Sequence, residues 1–92
     1  MIVRYTQDSL HDLNSIHSYI SEDSPDAAAS TVGRIVAGID GLGRNPRLGR
    51  VGRVHGTREL VIAPYVIVYT IYESTVEINA VIHSARQWPT SF

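Results

Sequence analysis

A chain of 92 residues can bury roughly 60 to 65% of the surface its unfolded form exposes, room for one modest core and no second domain. With 43% hydrophobic and 18% charged residues it reads as globular rather than disordered. The absence of cysteine excludes disulfides and thiolate metal sites, and the net charge of −1 excludes a uniformly basic or acidic protein.

Ile2, Arg4 and Thr6 alternate with Val3 and Tyr5, a short first strand. Asp8 or Ser9 is then placed to cap a helix with Leu10, Leu13, Ile16 and Ile20 at helical spacing, ending between Ser21 and Ser24. Ser24 followed by Pro25 opens a second helix, because proline fits the first turn and serine accepts a backbone N–H that has no other partner. Its apolar stripe runs Ala28, Val32, Ile35, Ile39, Leu42, one face turned to a partner surface. Gly33, Gly38 and Gly41 each weaken that helix by about 1 kcal/mol relative to alanine, so packing must hold it. Asn45 and Pro46 end it, and Arg44 to Gly56 reads as a loop.

Three strands follow. The run from Tyr65 to Tyr72 is apolar on both faces, as a central strand is. In the last strand, Val76, Ile78, Ala80 and Ile82 are expected under the helices, with Glu77, Asn79, Val81 and His83 on the opposite face. The order β-α-α-β-β-β predicts an α+β fold, a two-helix hairpin packed on a small antiparallel sheet. A turn at Ser74 and Thr75 would set Tyr69 across from Ala80. A similar turn at Ala63 and Pro64 would set Arg58 beside Tyr69 on the helix side, whereas a bulge or longer loop would send Arg58 to the open face. The sequence leaves both faces open for Arg58.

Charge is distributed unevenly along this plan. Up to residue 43, Asp8, Asp12, Glu22, Asp23, Asp26 and Asp40 outnumber Arg4 and Arg34; from 44 to 58, Arg44, Arg47, Arg50, Arg53 and Arg58 meet no acid. All eight cationic side chains are arginine, which grips carboxylate or phosphate through two parallel hydrogen bonds but cannot serve as a base. A second concentration of chemistry ends the last strand, where His83, Arg86 and Trp88 follow one another closely. His83 has the ring for acid-base work near neutral pH, and arginine and tryptophan are the side chains that most often anchor macromolecular contacts. Each also has a plainer reading: His83 as a strand end bonded to backbone, Arg58 as an ion pair with Glu59 or Glu77, Trp88 and Phe92 as cover for the sheet edge. His11 and His17, six apart, fall on different sides of a helix, so no metal site is expected.

The order Leu13, Ile16, Tyr19, Ile20, then Ser24 to Ala28, Gly49 and Arg50, Gly56 to Glu59, Tyr65 to Tyr69 and His83 to Pro89 resembles the ParE branch of the RelE/ParE toxins of type II toxin-antitoxin modules. The resemblance spans about Leu10 to Pro89 and implies one RelE/ParE-like domain over residues 1–92. It implies a ParE-like inhibitor of DNA gyrase, a plasmid-stabilising toxin that arrests growth, with no cofactor and no hydrolytic chemistry. The alternatives are a RelE-like, metal-independent, ribosome-dependent mRNA endonuclease using Arg58, His83 and Arg86, or a non-toxic interaction module. Lysines that supply much of the charge in RelE are missing here, and no tyrosine follows Arg86. Candidate target contacts are Arg50, Arg53, Arg58, His83, Arg86 and Trp88. The resemblance further implies a cognate, ParD-like antitoxin that folds on binding, expected over Ile16, Tyr19, Val32 and Ile35. With Arg4, Gln7 and Asp8 breaking the first ten residues, no leader and no membrane partner are expected, and the cytoplasm is the expected location.

Overall fold

In the computed structural model, which describes residues 1–92, the chain order is β1 (Ile2–Tyr5), α1 (Gln7–Ser21), α2 (Pro25–Arg44), β2 (Arg50–Val51), β3 (Arg58–Ile62), β4 (Tyr65–Tyr72) and β5 (Thr75–His83). The strands form one sheet in the order β1-β5-β4-β3-β2, with both helices on one face. Two features differ from expectation. A two-residue strand, β2, lies inside the predicted loop and pairs with β3, and β1 runs parallel to β5 in an otherwise antiparallel sheet. No helix is long and apolar enough to cross a membrane.

The first helix starts earlier than expected, with Thr6 rather than Asp8 or Ser9 as its cap. The Thr6 hydroxyl donates to the Ile78 carbonyl at 2.7 Å and accepts from the Ser9 N–H at 3.1 Å. Held extended against β5, Thr6 ends the strand and caps the helix in a single residue. At α2 the expectation holds: the Ser24 hydroxyl accepts from the Ala27 N–H at 3.1 Å with Pro25 in the first turn. Ile35, Ile39 and Leu42 are fully buried in the core shared with the sheet, and Ala28 is fully buried as well, each large aliphatic side chain contributing about 1.5–3 kcal/mol. Gly38 lets α2 lie close to β3, because a Cβ there would stand 3.0 Å from Ile62 Cδ1.

Register corrects the rest. The β4–β5 turn is at Glu73 and Ser74, with Glu73 carrying the positive φ of 55° and Tyr72 opposite Thr75. Tyr69 therefore faces Ile78, not Ala80. Val68 pairs with Ala80, leaving Asn79 as an extra residue in β5, and its amide instead donates to Thr70 Oγ1 at 2.7 Å. Such a bulge reverses which way the following side chains point. Val76 and Ile78 lie under the helices as expected, whereas Ala80 and Ile82 join Val66 and Val68 on the opposite face. Val81 moves to the helix side, and His83 follows it, opposite Tyr65. The β3–β4 turn does fall at Ala63 and Pro64, with Ile62 opposite Tyr65 and a cis Ala63–Pro64 bond.

Candidate functional site

Arg58 pairs across from Tyr69 and lies on the same side of β3 as Leu60 and Ile62, the helix side. Its guanidinium makes no ion pair with Glu59 or Glu77. Instead Nε and Nη2 donate to the Gly49 carbonyl at 3.1 and 2.7 Å, and Nη2 reaches the Arg47 carbonyl at 3.4 Å. The Tyr69 hydroxyl completes this anchorage, donating to the Pro46 carbonyl at 2.7 Å and accepting from the Gly49 N–H at 3.0 Å. Gly49 is required here, since a Cβ would lie 2.6 Å from the Tyr69 oxygen. The basic loop is thus fastened to the sheet by groups that read as free cations in the sequence.

On the other face the same loop is fastened by Glu59. Its carboxylate, 2% exposed, accepts from Arg50 Nε and Nη2 at 3.2 and 2.9 Å. It also accepts from the Arg53 backbone N–H at 2.8 Å and from Arg53 Nε and Nη2 at 3.1 and 3.2 Å. Burial alone raises the pKa of this carboxyl, but the donors of Arg53 and Arg50 outweigh it and hold it below the ordinary value of 4.5. Arg53 lies over the Trp88 indole, 3.6 Å from the ring centroid, a cation–π stack. Trp88 packs on Val66, Val68, Ala80 and Ile82, so it covers the open sheet face rather than standing free. Phe92 comes back toward the free edge of β5, sharing a shallow pocket with Asn79 and Ile82, and stays half exposed there.

At the opposite end of β4 a cleft of about 450 Å³ opens between α1 and the sheet, lined by Ile16, Tyr19, Tyr65, His83 and Arg86 among others. The Asp12 carboxylate crosses one wall to accept the Val81 N–H at 3.0 Å. It serves the edge of β5 beyond the end of β1, where the backbone would otherwise be unpaired. Burial raises the Asp12 pKa above its ordinary 3.8; the Val81 bond, His11 and Arg86 act in the lowering direction, while Asp8 adds to the rise. His83 stands edge-on to Tyr65, ring centroids 5.4 Å apart, and its Nδ1 accepts the Ala85 N–H at 3.1 Å. The neutral ring therefore carries its proton on Nε2. No three His, Asp or Glu side chains converge to hold a metal.

Three expectations are rearranged by this geometry. His83 lies opposite Tyr65 and Arg58 opposite Tyr69, four residues or about 13 Å apart along β4, so Arg58, His83 and Arg86 do not form one catalytic cluster. Ile35 is 0% exposed; the α2 stripe is turned fully onto the sheet, so Ile35 cannot meet an antitoxin, while Val32 beside it is half-buried. Ile16 and the 74%-exposed Tyr19, expected on a separate surface, line the same cleft as His83 and Arg86. Asp12 and Tyr65 were missed as site residues. The sequence signal for Asp12 was an acid one turn after Asp8 on the helix that follows the four-residue edge strand β1.

A family model described as "ParE toxin of type II toxin-antitoxin system, parDE" matches residues 3–88. The chain belongs to the ParE toxin family. Among proteins similar to it, the Y4kP protein of Sinorhizobium fredii is 47% identical over 89 residues, covering 95% of this chain and 92% of the relative. Toxin RelE2 of Caulobacter vibrioides is 34% identical over 84 residues, covering 91% and 96%. A solved chromosomal ParDE system from P. aeruginosa superimposes with a TM-score of 0.80 over 90% of this chain and 95% of that one. At 24% identity that likeness speaks for the shared fold. Membership of the ParE toxin family makes this chain a toxin of the RelE/ParE superfamily, and the helix hairpin on a mostly antiparallel sheet is the architecture that the resemblance implied.

Proposed function

We propose that this ParE-family toxin acts by binding DNA gyrase, without hydrolytic chemistry of its own, and that a cognate ParD-like antitoxin holds it silent. The observation that carries this reading is the dispersal of the polar groups that an RNase would need together. Arg58 is bonded to loop carbonyls, Arg50 and Arg53 to Glu59, and His83 stands at the other end of β4 with Arg86. Phosphodiester cleavage needs an acid, a base and fixed cations around one phosphate, whereas a binding toxin needs an arginine and aromatic surface. Arg86 beside Tyr19 at the α1 cleft supplies one such surface, and Trp88 with the exposed sides of Arg50 and Arg53 a second on the opposite sheet face.

The antitoxin reading rests on the cleft beside α1. Ile16, Tyr19 and Tyr65 give it an apolar floor open to solvent, the kind of groove that an amphipathic segment enters as it folds. Val32, half-buried on α2, does not line this cleft, and the fully buried Ile35 drops out. One specific observation favours the RNase alternative: His83, with Nε2 free, and Arg86 share that cleft with Asp12. Expression of the chain alone, followed by plasmid topology and message integrity in the same cells, separates the readings. Linearised plasmid with intact messages supports gyrase; defined cuts in translated messages with intact plasmid refute it in favour of the nuclease.

A further inference from the structure

We propose that Glu59 is the positioning residue of the open sheet face: through Arg53 it sets where Trp88 stands, and with it the path of the C-terminal tail. The functional half of this inference rests on the target-binding reading above; the structural half does not.

Residues 87–92 donate and accept no hydrogen bond in the structure, the last one in the chain being Arg86 N–H to the His83 carbonyl at 3.0 Å. What keeps the tail on the sheet is Trp88, wedged between the apolar patch of Val66, Val68, Ala80 and Ile82 and the guanidinium of Arg53. The indole Nε1 is buried there without a partner, which costs free energy, so hydrogen bonding does not account for the placement. Arg53 is 47% exposed along its side chain and would sample many rotamers if free. Two hydrogen bonds to Glu59 from its guanidinium and a third from its own backbone N–H fix the plane that lies on the indole. A planar fork held at two points lies flat on the indole, whereas an ammonium can attract the ring but has no plane to fix on it. Glu59 itself is nearly inaccessible and so acts only through the arginines it orders. Burying a carboxylate for stability alone is a poor exchange against an apolar side chain, which is consistent with a role in placing groups.

The consequence is a tail bracketed on both sides. The His83–Arg86 turn fixes Arg86 beside the α1 cleft, and the Trp88 stack fixes the chain two residues later on the opposite face. Loss of the Glu59 charge would free Arg53 and release Trp88 from the open sheet face.

The chain's single tryptophan makes Trp88 its own reporter. In purified protein, Glu59→Gln and Arg53→Ala are each expected to shift Trp88 emission to the red and raise its quenching by acrylamide, with the far-ultraviolet circular dichroism unchanged. Because both act on one chain of contacts, the double variant should expose Trp88 no more than either single one; a role of Glu59 in general stability would add to the effect of Arg53→Ala. Arg53→Lys keeps the charge opposite Glu59 but not the stack, and should also expose Trp88, providing the test if Glu59→Gln does not fold. Each variant should lose about tenfold or more in potency against gyrase, about 1.4 kcal/mol of contact free energy. Unchanged Trp88 quenching in Glu59→Gln or in Arg53→Lys overturns the positioning role. Exposed Trp88 with wild-type potency overturns its functional half. If the wild-type chain leaves gyrase untouched, the proposed target fails, and the quenching arm still decides the role of Glu59.

Discussion

The two ends of β4 carry the same kinds of side chain in opposite states. At the Tyr69 end, Arg50, Arg53 and Arg58 are all bonded, to Glu59 or to the carbonyls of Arg47 and Gly49. At the Tyr65 end, His83 and Arg86 line an open cleft, and Arg86 has no carboxylate within ion-pairing distance. The arginines of the first end are ordered by acceptors that hold the basic loop and Trp88 in place; Arg86 at the second has no such acceptor and is free to pair with another molecule. A run of arginines in sequence is therefore a poor measure of a binding surface, since what matters is how many already have acceptors.

The comparison can be broken most sharply at the core that separates the surfaces. Ile35→Ala is expected to destabilise the protein by about 2–5 kcal/mol, whereas Tyr19→Ala should stay within about 0.5 kcal/mol, both read from urea unfolding. If Ile35→Ala left stability intact and weakened antitoxin binding instead, the placement of α2 would be wrong. Next in size, Arg58→Ala removes charge-assisted bonds to two carbonyls and should cost about 1.5–3 kcal/mol, while Arg86→Ala should cost less than about 0.5 kcal/mol. Potency against the target should reverse that order at equal folded concentration, with Arg86→Ala the more damaging. Tyr69→Phe leaves the Gly49 N–H and the Pro46 carbonyl unpaired, for a loss of about 1–3 kcal/mol; thermal melts would check it.

The smallest effects are those of pH, and they run in opposite senses at the two ends. Glu59 has a folded pKa below its ordinary 4.5, so its contribution is fully present above that value and is lost as the pH falls through the folded pKa. Asp12 has a folded pKa above its ordinary 3.8, so its contribution is present below 3.8 and is lost as the pH rises through the folded pKa. Glu59→Gln should therefore destabilise at neutral pH, by an amount that shrinks in acid. Asp12→Asn, whose carbonyl oxygen can still accept the Val81 N–H, should be neutral or stabilising at neutral pH. Melting temperatures across the acid range would show the two differences changing with opposite slopes.

The two helices and the chain order of β1, β3, β4 and β5 were legible in the sequence because they rest on periodicity and on the Ser24 cap, whereas the two-residue β2 carries no periodic signal. Ser24–Pro25, the stripe from Ala28 to Leu42 and the apolar run of β4 each act locally. Register was not legible, because one residue decides it. The turn at Glu73 rather than Ser74 and the extra residue Asn79 together send Ala80 and Ile82 to the face that Trp88 covers and bring Val81 and His83 to the helix side. No propensity marks a bulge at Asn79; its amide bond to Thr70 exists only once the strands are paired. The face of Arg58 followed from the Ala63–Pro64 turn, which the sequence located but could not close. The fates of Arg50 and Arg53 depended on Glu59, a lone acid next to the basic run whose burial came from sheet pairing rather than from its neighbours in sequence. The cleft was half legible: Ile16, Tyr19, His83 and Arg86 were each singled out, but only the folded chain brings them together.

On the reading proposed above, this toxin works by contact through the unpaired Arg86 end. Purified protein incubated with DNA gyrase and supercoiled plasmid tests it most directly, with Arg86→Ala beside the wild type. Linear plasmid is expected with the wild-type chain, and a large loss of it with Arg86→Ala at equal folded concentration. Absence of linear product at every wild-type concentration, alongside cutting of messages on translating ribosomes, would contradict it.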